Sequence, residues 1–415
     1  MITLAFNLLN FLSVVGLSTI SVCSNGCDFA SVKEAIQHSL AGQELVVHAG
    51  VYKEGPLLID HPLFLRGQGY PTLVGDGTGS VLTIKADSVT IEGLRIIDSG
   101  ASYISDLAGI KIEEGKNCEI SNNRLENNAY GVYLARAERC LVQNNIIDGT
   151  RKSESESGNG VHIWDGHFHT IKNNTISGHR DGIYFEFAKD GQISGNRVFD
   201  NIRYGLHFMS SDRNVYTRNI FERNGAGVAV MYSKSITMVE NVFQDNRGMS
   251  SYGLLLKDIS GSEIARNTFS DNTIGIYMEG TLRSSFLENR FNANGYATRI
   301  YGDCDGNTFR HNNYVGNTFN IVTNSSRNPN TFTENYWSTY EGFDLDGDGF
   351  GDVPYRPVSL ASSIVEGVDS SFVLINSFFF LVMEEVEQAF PELIPEPLKD
   401  LKPLMRPWTG EGIHD

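Results

Sequence analysis

The 415-residue chain is short of cysteine, proline and basic side chains. Five cysteines are too few to staple a domain of this length, so a packed core has to hold it. Eleven prolines against 42 glycines suit neither a proline-rich disordered chain nor collagen, and fit turn-rich β structure. The 33 Lys and Arg stand against 50 Asp and Glu, a formal charge of −17. Such a surface argues against nucleic acid as a partner, because few cations are available to neutralise phosphates. Long apolar runs are missing after the first 22 residues; "SSFVLINSFFFLVM" is too short to span a bilayer. There is also no nucleophile elbow, no phosphate-cradling glycine loop and no histidine spacing that demands zinc.

Residues 1–22 do form an apolar stretch. It reads as a secretory h-region without the usual basic n-region, or as an N-terminal anchor. Cys23 and Cys27 flank the processing site expected of a signal peptide, and cleavage would remove one or both.

From residue 118 to 337 one phrase returns ten times: "EISNNRL", "LVQNNII", "TIKNNTI", "QISGNRV", "VYTRNIF", "TMVENVF", "EIARNTF", "SFLENRF", "TFRHNNY", "TFTENYW". Its asparagines, from Asn123 to Asn335, are spaced 22, 29, 22, 23, 22, 26, 22, 23 and 23 residues apart. A fixed short period means stacked identical units. Apolar residues alternate around each asparagine, so the units are strands bent at Asn and Gly. The expected fold is all-β: a right-handed parallel β-helix, pectin-lyase-like, with coils of ~22 residues rising ~4.8 Å each. The asparagines should bond to backbone at the bends and therefore stack. Spacings of 29 and 26 place polar loops at "GTRKSESESGNG" and "NRGMSSYG". Upstream, "FASVKEAIQHSLAGQELVVHAG" reads as a short amphipathic helix that caps the open apolar end. The organisation is a leader at 1–22, a β-helix at 23–340, an Asp/Gly loop at 341–356 and a helical, Pro-rich tail at 357–415.

Alternation also sorts the strands that follow the glycines. One outward column reads Lys111, Tyr133, His162, Tyr184, His207, Ala229, Leu255, Tyr277, Arg299. The next reads Glu113, Ala135, Trp164, Glu186, Met209, Met231, Lys257, Glu279, Tyr301. Met209 and Met231 are 22 residues apart, hence stacked, and should face solvent or a partner. Cys118 and Cys140 occupy one place in successive coils, close enough for a disulfide and equally suited to two buried thiols. "FDLDGDGFGDVPYRP" sets Asp344, Asp346, Asp348, Gly349 and Asp352 at positions 1, 3, 5, 6 and 9 of a calcium loop, with the Phe350 carbonyl between them. Tyr355 replaces the bidentate acid at position 12, so the match is partial.

Taken together, "GVHIWDGHFHTIKNNTISGHRDGIYF", "GLHFM", "AVMYS", "NYWSTYEGFDLDGDGFGDVPYRP" and "AFPELIPEPLKDLKPLMRP" resemble the NosD family over residues 28 to 407. That resemblance implies a periplasmic, non-enzymatic accessory protein. Its implied partners are an ABC-transporter permease and ATPase, a copper chaperone lipoprotein and the nitrous oxide reductase apoprotein whose copper sites are being assembled. Copper(I) is soft, so His207, Met209 and Met231 could hold it transiently as imidazole and thioether ligands. The same surface, extended by Trp164 and Leu255, would also serve as an apolar contact for a protein. In the tail, Phe372, Leu374, Phe378 and Leu381 are expected to dock on the permease. A different class of function stays open, a β-helix that binds, cleaves or epimerises polysaccharide through Glu113, Glu186, Glu279 and neighbouring tyrosines.

Overall fold

A computed structural model describes residues 18–102, 104–325, 329–359, 382 and 398–410. Each coil runs through three short strands, and strands stack coil upon coil into three wholly parallel sheets. Sheet A has 14 strands, from Ile20–Val22 to Thr331–Thr333; sheet B has 13, from Val51–Lys53 to Tyr336–Trp337; sheet C has 12, from Leu57–Ile59 to Phe319–Thr323. The expected parallel β-helix is therefore the fold. Strands of A and B are mostly three residues long, whereas those of C reach six, so C offers the broad face.

The repeat dictates this shape at two positions. Between sheets A and B a single residue takes a left-handed conformation, as at Asn122 (φ 54°) and Asn144 (φ 55°), and turns the chain. The buried asparagine after it then makes two kinds of bond. Asn145 Nδ2 donates to the Ile120 carbonyl (2.9 Å), while Asn145 N–H donates to Asn174 Oδ1 in the next coil (3.0 Å). Repeated from Asn123 to Asn335, these bonds make a continuous ladder that satisfies buried backbone at the corner. A second ladder, missed in the repeat, runs from Asn201 through Asn224, Asn246, Asn272 and Asn294 to Asn317 at the B–C corner. Inside, rings stack in register: Phe221, Phe243, Phe269, Phe291, Tyr314 and Trp337 lie 5.5 to 4.2 Å apart. A second face-to-face pile, Phe286, Phe309 and Phe332 at 4.4 Å spacing, lies in the same core, whose remaining members are mainly Ile, Leu and Val.

Both ends are closed. Helix α1 (Val32–His38) buries Val32, Ala35 and Ile36, and Glu54 accepts from its Val32 and Lys33 N–H groups at 2.9 and 2.7 Å. Strand Ile20–Val22 pairs with Leu45–Val47, so the solenoid begins three residues inside the stretch assigned to the leader. Cys23 and Cys27 are joined by a disulfide. At the other end, Asp400 terminates the first ladder. Its Oδ2 accepts from Asn335 N–H and Nδ2 (3.0 Å each) and from Trp337 Nε1 (3.1 Å). Trp408 stacks on His311 at 3.7 Å, and Leu398 and Leu404 are buried.

Candidate functional site on the broad sheet

The outward face of sheet C carries most of the chemistry predicted for the chain, though not arranged as alternation alone suggested. Tyr133, His162, Tyr184 and His207 pair in register and form a pile of rings, with centroids 4.8, 4.8 and 4.5 Å apart. His207 lies flat on Tyr184, is edged by Tyr204, and is only 2% exposed. It points away from the core, as expected, but it is not wet: rings above and beside it cover the imidazole. Leu255 is corrected in the same way, being 8% exposed between Ala229 and Tyr277. Trp164 is half-buried, with the Arg136 guanidinium 5.3 Å over its ring.

Beneath His207 lies Asp181, fully buried and unforeseen. Its carboxylate is 3.7 Å from His207 Nδ1 and 3.8 Å from both Arg203 Nε and Arg180 Nε. These are ion-pair separations, longer than hydrogen bonds. Burial opposes ionisation of Asp181, but His207, Arg203 and Arg180 outweigh it and hold its pKa below the usual carboxylate value. In the same coil as Asp181, Glu186 lies 3.5 Å from His162 Nε2 of the coil before, and that neighbour lowers its pKa against desolvation. Burial pushes the hydroxyls of Tyr130 and Tyr184 up to about 12, and that of Tyr133 higher still. They are neutral donors at any physiological pH. An open pocket of about 400 Å³ lies over this patch, between Trp164, Tyr133 and Glu186 on the sheet and Asp106 and Arg180 at its edge.

Met209 and Met231 are direct cross-strand partners at the far side of the same face, both half-buried, followed in the column by Lys257. His207 stands opposite Ala229, not a methionine. The three residues thus share a face, with both methionines half-buried and the imidazole under Tyr184 and Tyr204.

The remaining predicted residues are dispersed. Cys118 and Cys140 sit in successive coils as free, buried thiols with no disulfide between them. The neighbouring Cys118 thiol and burial together raise the Cys140 pKa, while the pairing lowers that of Cys118 against the opposing effect of burial. In the Asp/Gly loop, carboxylate oxygens of Asp344, Asp346 and Asp348 come within 4.8 Å of one another. Asp352 does not join them; it accepts from Leu345 N–H at 2.7 Å, bracing the loop instead. Desolvation tends to raise the Asp344 pKa, and N–H donors from Gly349, Gly347 and Asp348 lower it below the normal value. Phe372, Leu374, Phe378 and Leu381 lie outside the described residues.

A family model described as "Periplasmic copper-binding protein (NosD)" matches residues 72–154 and 143–342. The chain belongs to the NosD family. It is 30% identical over 377 residues to a "Probable ABC transporter binding protein NosD" of Pseudomonas aeruginosa, covering 86% of this chain and 87% of that one. A protein of the same description from Stutzerimonas stutzeri is 28% identical over 378 residues, covering 86% of each chain. Among solved structures, the A-module of mannuronan C-5 epimerase AlgE6 from Azotobacter vinelandii aligns at a TM-score of 0.61 and 13% identity, over 73% of this chain and 92% of that one. A family 28 exopolygalacturonase of Yersinia enterocolitica aligns at 0.56 and 11%, over 77% and 78%. At such identities the likeness is one of fold. No helix among the described residues is long and apolar enough to cross a membrane.

Proposed function

We propose that this NosD-family chain is an exported assembly protein that works with an ABC-transporter permease and ATPase. In this reading it takes copper(I) from a copper chaperone lipoprotein and serves maturation of the copper sites of nitrous oxide reductase. Catalysis is no part of the proposal. The supporting observation is the Met209–Met231 pair, two in-register thioethers half-exposed on the broad sheet. Thioethers suit a soft monovalent ion and release it readily, which a transfer protein requires. His207, on the same face, would contribute a third ligand if Tyr204 swung aside. Neither of its ring nitrogens has a hydrogen-bond partner. Trp164, with Arg136 over it, borders the same surface and would contact the delivering protein.

The test is competition for copper(I) against a chromophoric chelator, together with the copper content of the reductase in cells. The variant His207→Ala, Met209→Leu, Met231→Leu keeps most of the apolar area. It is expected to lose copper(I) binding and leave the reductase copper-poor. Unchanged copper transfer would refute the site. As a second cargo-independent ion, calcium is proposed at Asp344, Asp346 and Asp348, whose carboxylates already converge.

A further inference from the structure

Among the described residues, the ladders satisfy many buried polar groups; of the side-chain atoms left without a hydrogen bond, the largest group lies on the outward face of sheet C, and the others are scattered from Ser157 to Trp408. His162 Nε2, Arg180 Nε, Asp181 Oδ2 and both ring nitrogens of His207 are buried without a hydrogen-bond partner. All lie on three successive coils of the outward face. They face one another or Glu186 at ion-pair rather than hydrogen-bond distance, 3.5 to 3.8 Å, and of them His162 and Arg180 also line a pocket, where a ligand could make the hydrogen bonds the fold leaves unmade. The pocket of about 400 Å³ opens beside them, within the range of small-molecule sites.

The lining selects among ligands. Tyr133 and Trp164 supply aromatic surface, while Asp106 and Glu186 supply acceptors and Arg180 and His162 supply nitrogen donors. A simple anion would meet two carboxylates, and a simple cation a guanidinium. A polyhydroxylated ring meets neither objection, because each hydroxyl both donates and accepts and can bridge a carboxylate to a guanidinium. Its C–H faces can lie on the tyrosine and indole rings. The chain also walls this stretch as it walls few others. Asp106 comes from the connection before strand Ala108–Glu113. The 150–158 insertion is drawn towards the same edge by an ion pair of Glu154 with Arg203 (3.4 Å). We propose that the pocket is a saccharide subsite that takes a neutral or N-acetylated pyranose unit of a glycan. The pocket lining includes none of His207, Met209 and Met231, so this site does not depend on the copper reading.

The experiment is calorimetric titration of the full chain with maltotetraose, chitotetraose and tetragalacturonate. A neutral or N-acetylated oligosaccharide is expected to bind with a Kd of about 1 mM or tighter, and more tightly than the galacturonate. Trp164→Ala and Glu186→Gln should each weaken that binding about tenfold in chains that remain folded by circular dichroism. Arg266→Ala, at the opposite A–B corner, should leave it as it was. Should Trp164→Ala fail to fold, the isosteric Glu186→Gln still decides. The proposal is overturned if no oligosaccharide binds, if the galacturonate binds best, or if Glu186→Gln binds like the parent chain.

Discussion

Single buried histidines make this fold sensitive to acid. His169 and His179 are both buried, and desolvation pushes each pKa down to about 4. In the unfolded chain they titrate near 6.5. Between those values the unfolded state binds protons that the folded state refuses. Stability is therefore complete above about pH 6.5 and falls as the pH drops towards 4, by about 1.4 kcal/mol per pH unit for each histidine. His169 occupies a ladder position that Asn214 fills two coils later, so His169→Asn should fold. Urea melts at pH 7, 6 and 5 are expected to show a shallower acid limb in that variant, and an unchanged slope would contradict the assignment. The same scale shows where sequence reasoning stopped. Alternation put His207 on the outward face correctly. It could not see Tyr184 lying on the ring, because that contact depends on side-chain direction in the neighbouring coil. Asp181 gave no signal at all, being a lone acid after an arginine at a corner.

At the scale of elements, what was legible was what repeats. Ten asparagines in one phase fixed the coil and its stacking, since short strands bent at Asn and Gly every ~22 residues stack into a solenoid. The second ladder stands five residues after the first in each of these coils, from Asn201 after Asn196 to Asn317 after Asn312, and was equally legible in the repeat. The Asp/Gly loop was visible from its alternate carboxylates, but its structural partner was not. Gly349 O accepts from Met405 N–H (3.1 Å) and Gly351 N–H donates to the Pro403 carbonyl (2.8 Å), so the loop is zipped to the segment that closes the solenoid. An ion held by Asp344, Asp346 and Asp348 would stiffen that closure. Calcium at millimolar excess is expected to raise the melting temperature, with chelator reversing the shift. No calorimetric binding and no change in melting would retire the ion.

For the molecule as a whole, the decisive contact joins residues 65 positions apart. The last rung of the asparagine ladder has no next coil to supply an oxygen, and Asp400 supplies it. Asp400→Ala would leave Asn335 and Trp337 donors buried without an acceptor, at a cost of about 3 kcal/mol. Asp400→Asn restores one oxygen and should recover part of the loss. Denaturant midpoints of the two variants give the order, and equal stability of Asp400→Ala and the parent chain would show that the ladder needs no terminator. An uncovered end also offers three open sheet edges to another molecule, so Asp400→Ala should self-associate on sizing columns where the parent does not.

That terminator also sets a sequence of events in time. A chain that emerges from its N-terminus can add coil to coil as each appears, because every rung is answered by residues about 22 to 29 positions further on. The final rung is different: it waits for a residue 65 positions further on. Most of the cylinder can thus be built while the chain is still arriving, but it is sealed only once Asp400 has been delivered. Until then its growing end stays adhesive, and a helper that shields it would be needed early and redundant once Asp400 arrives.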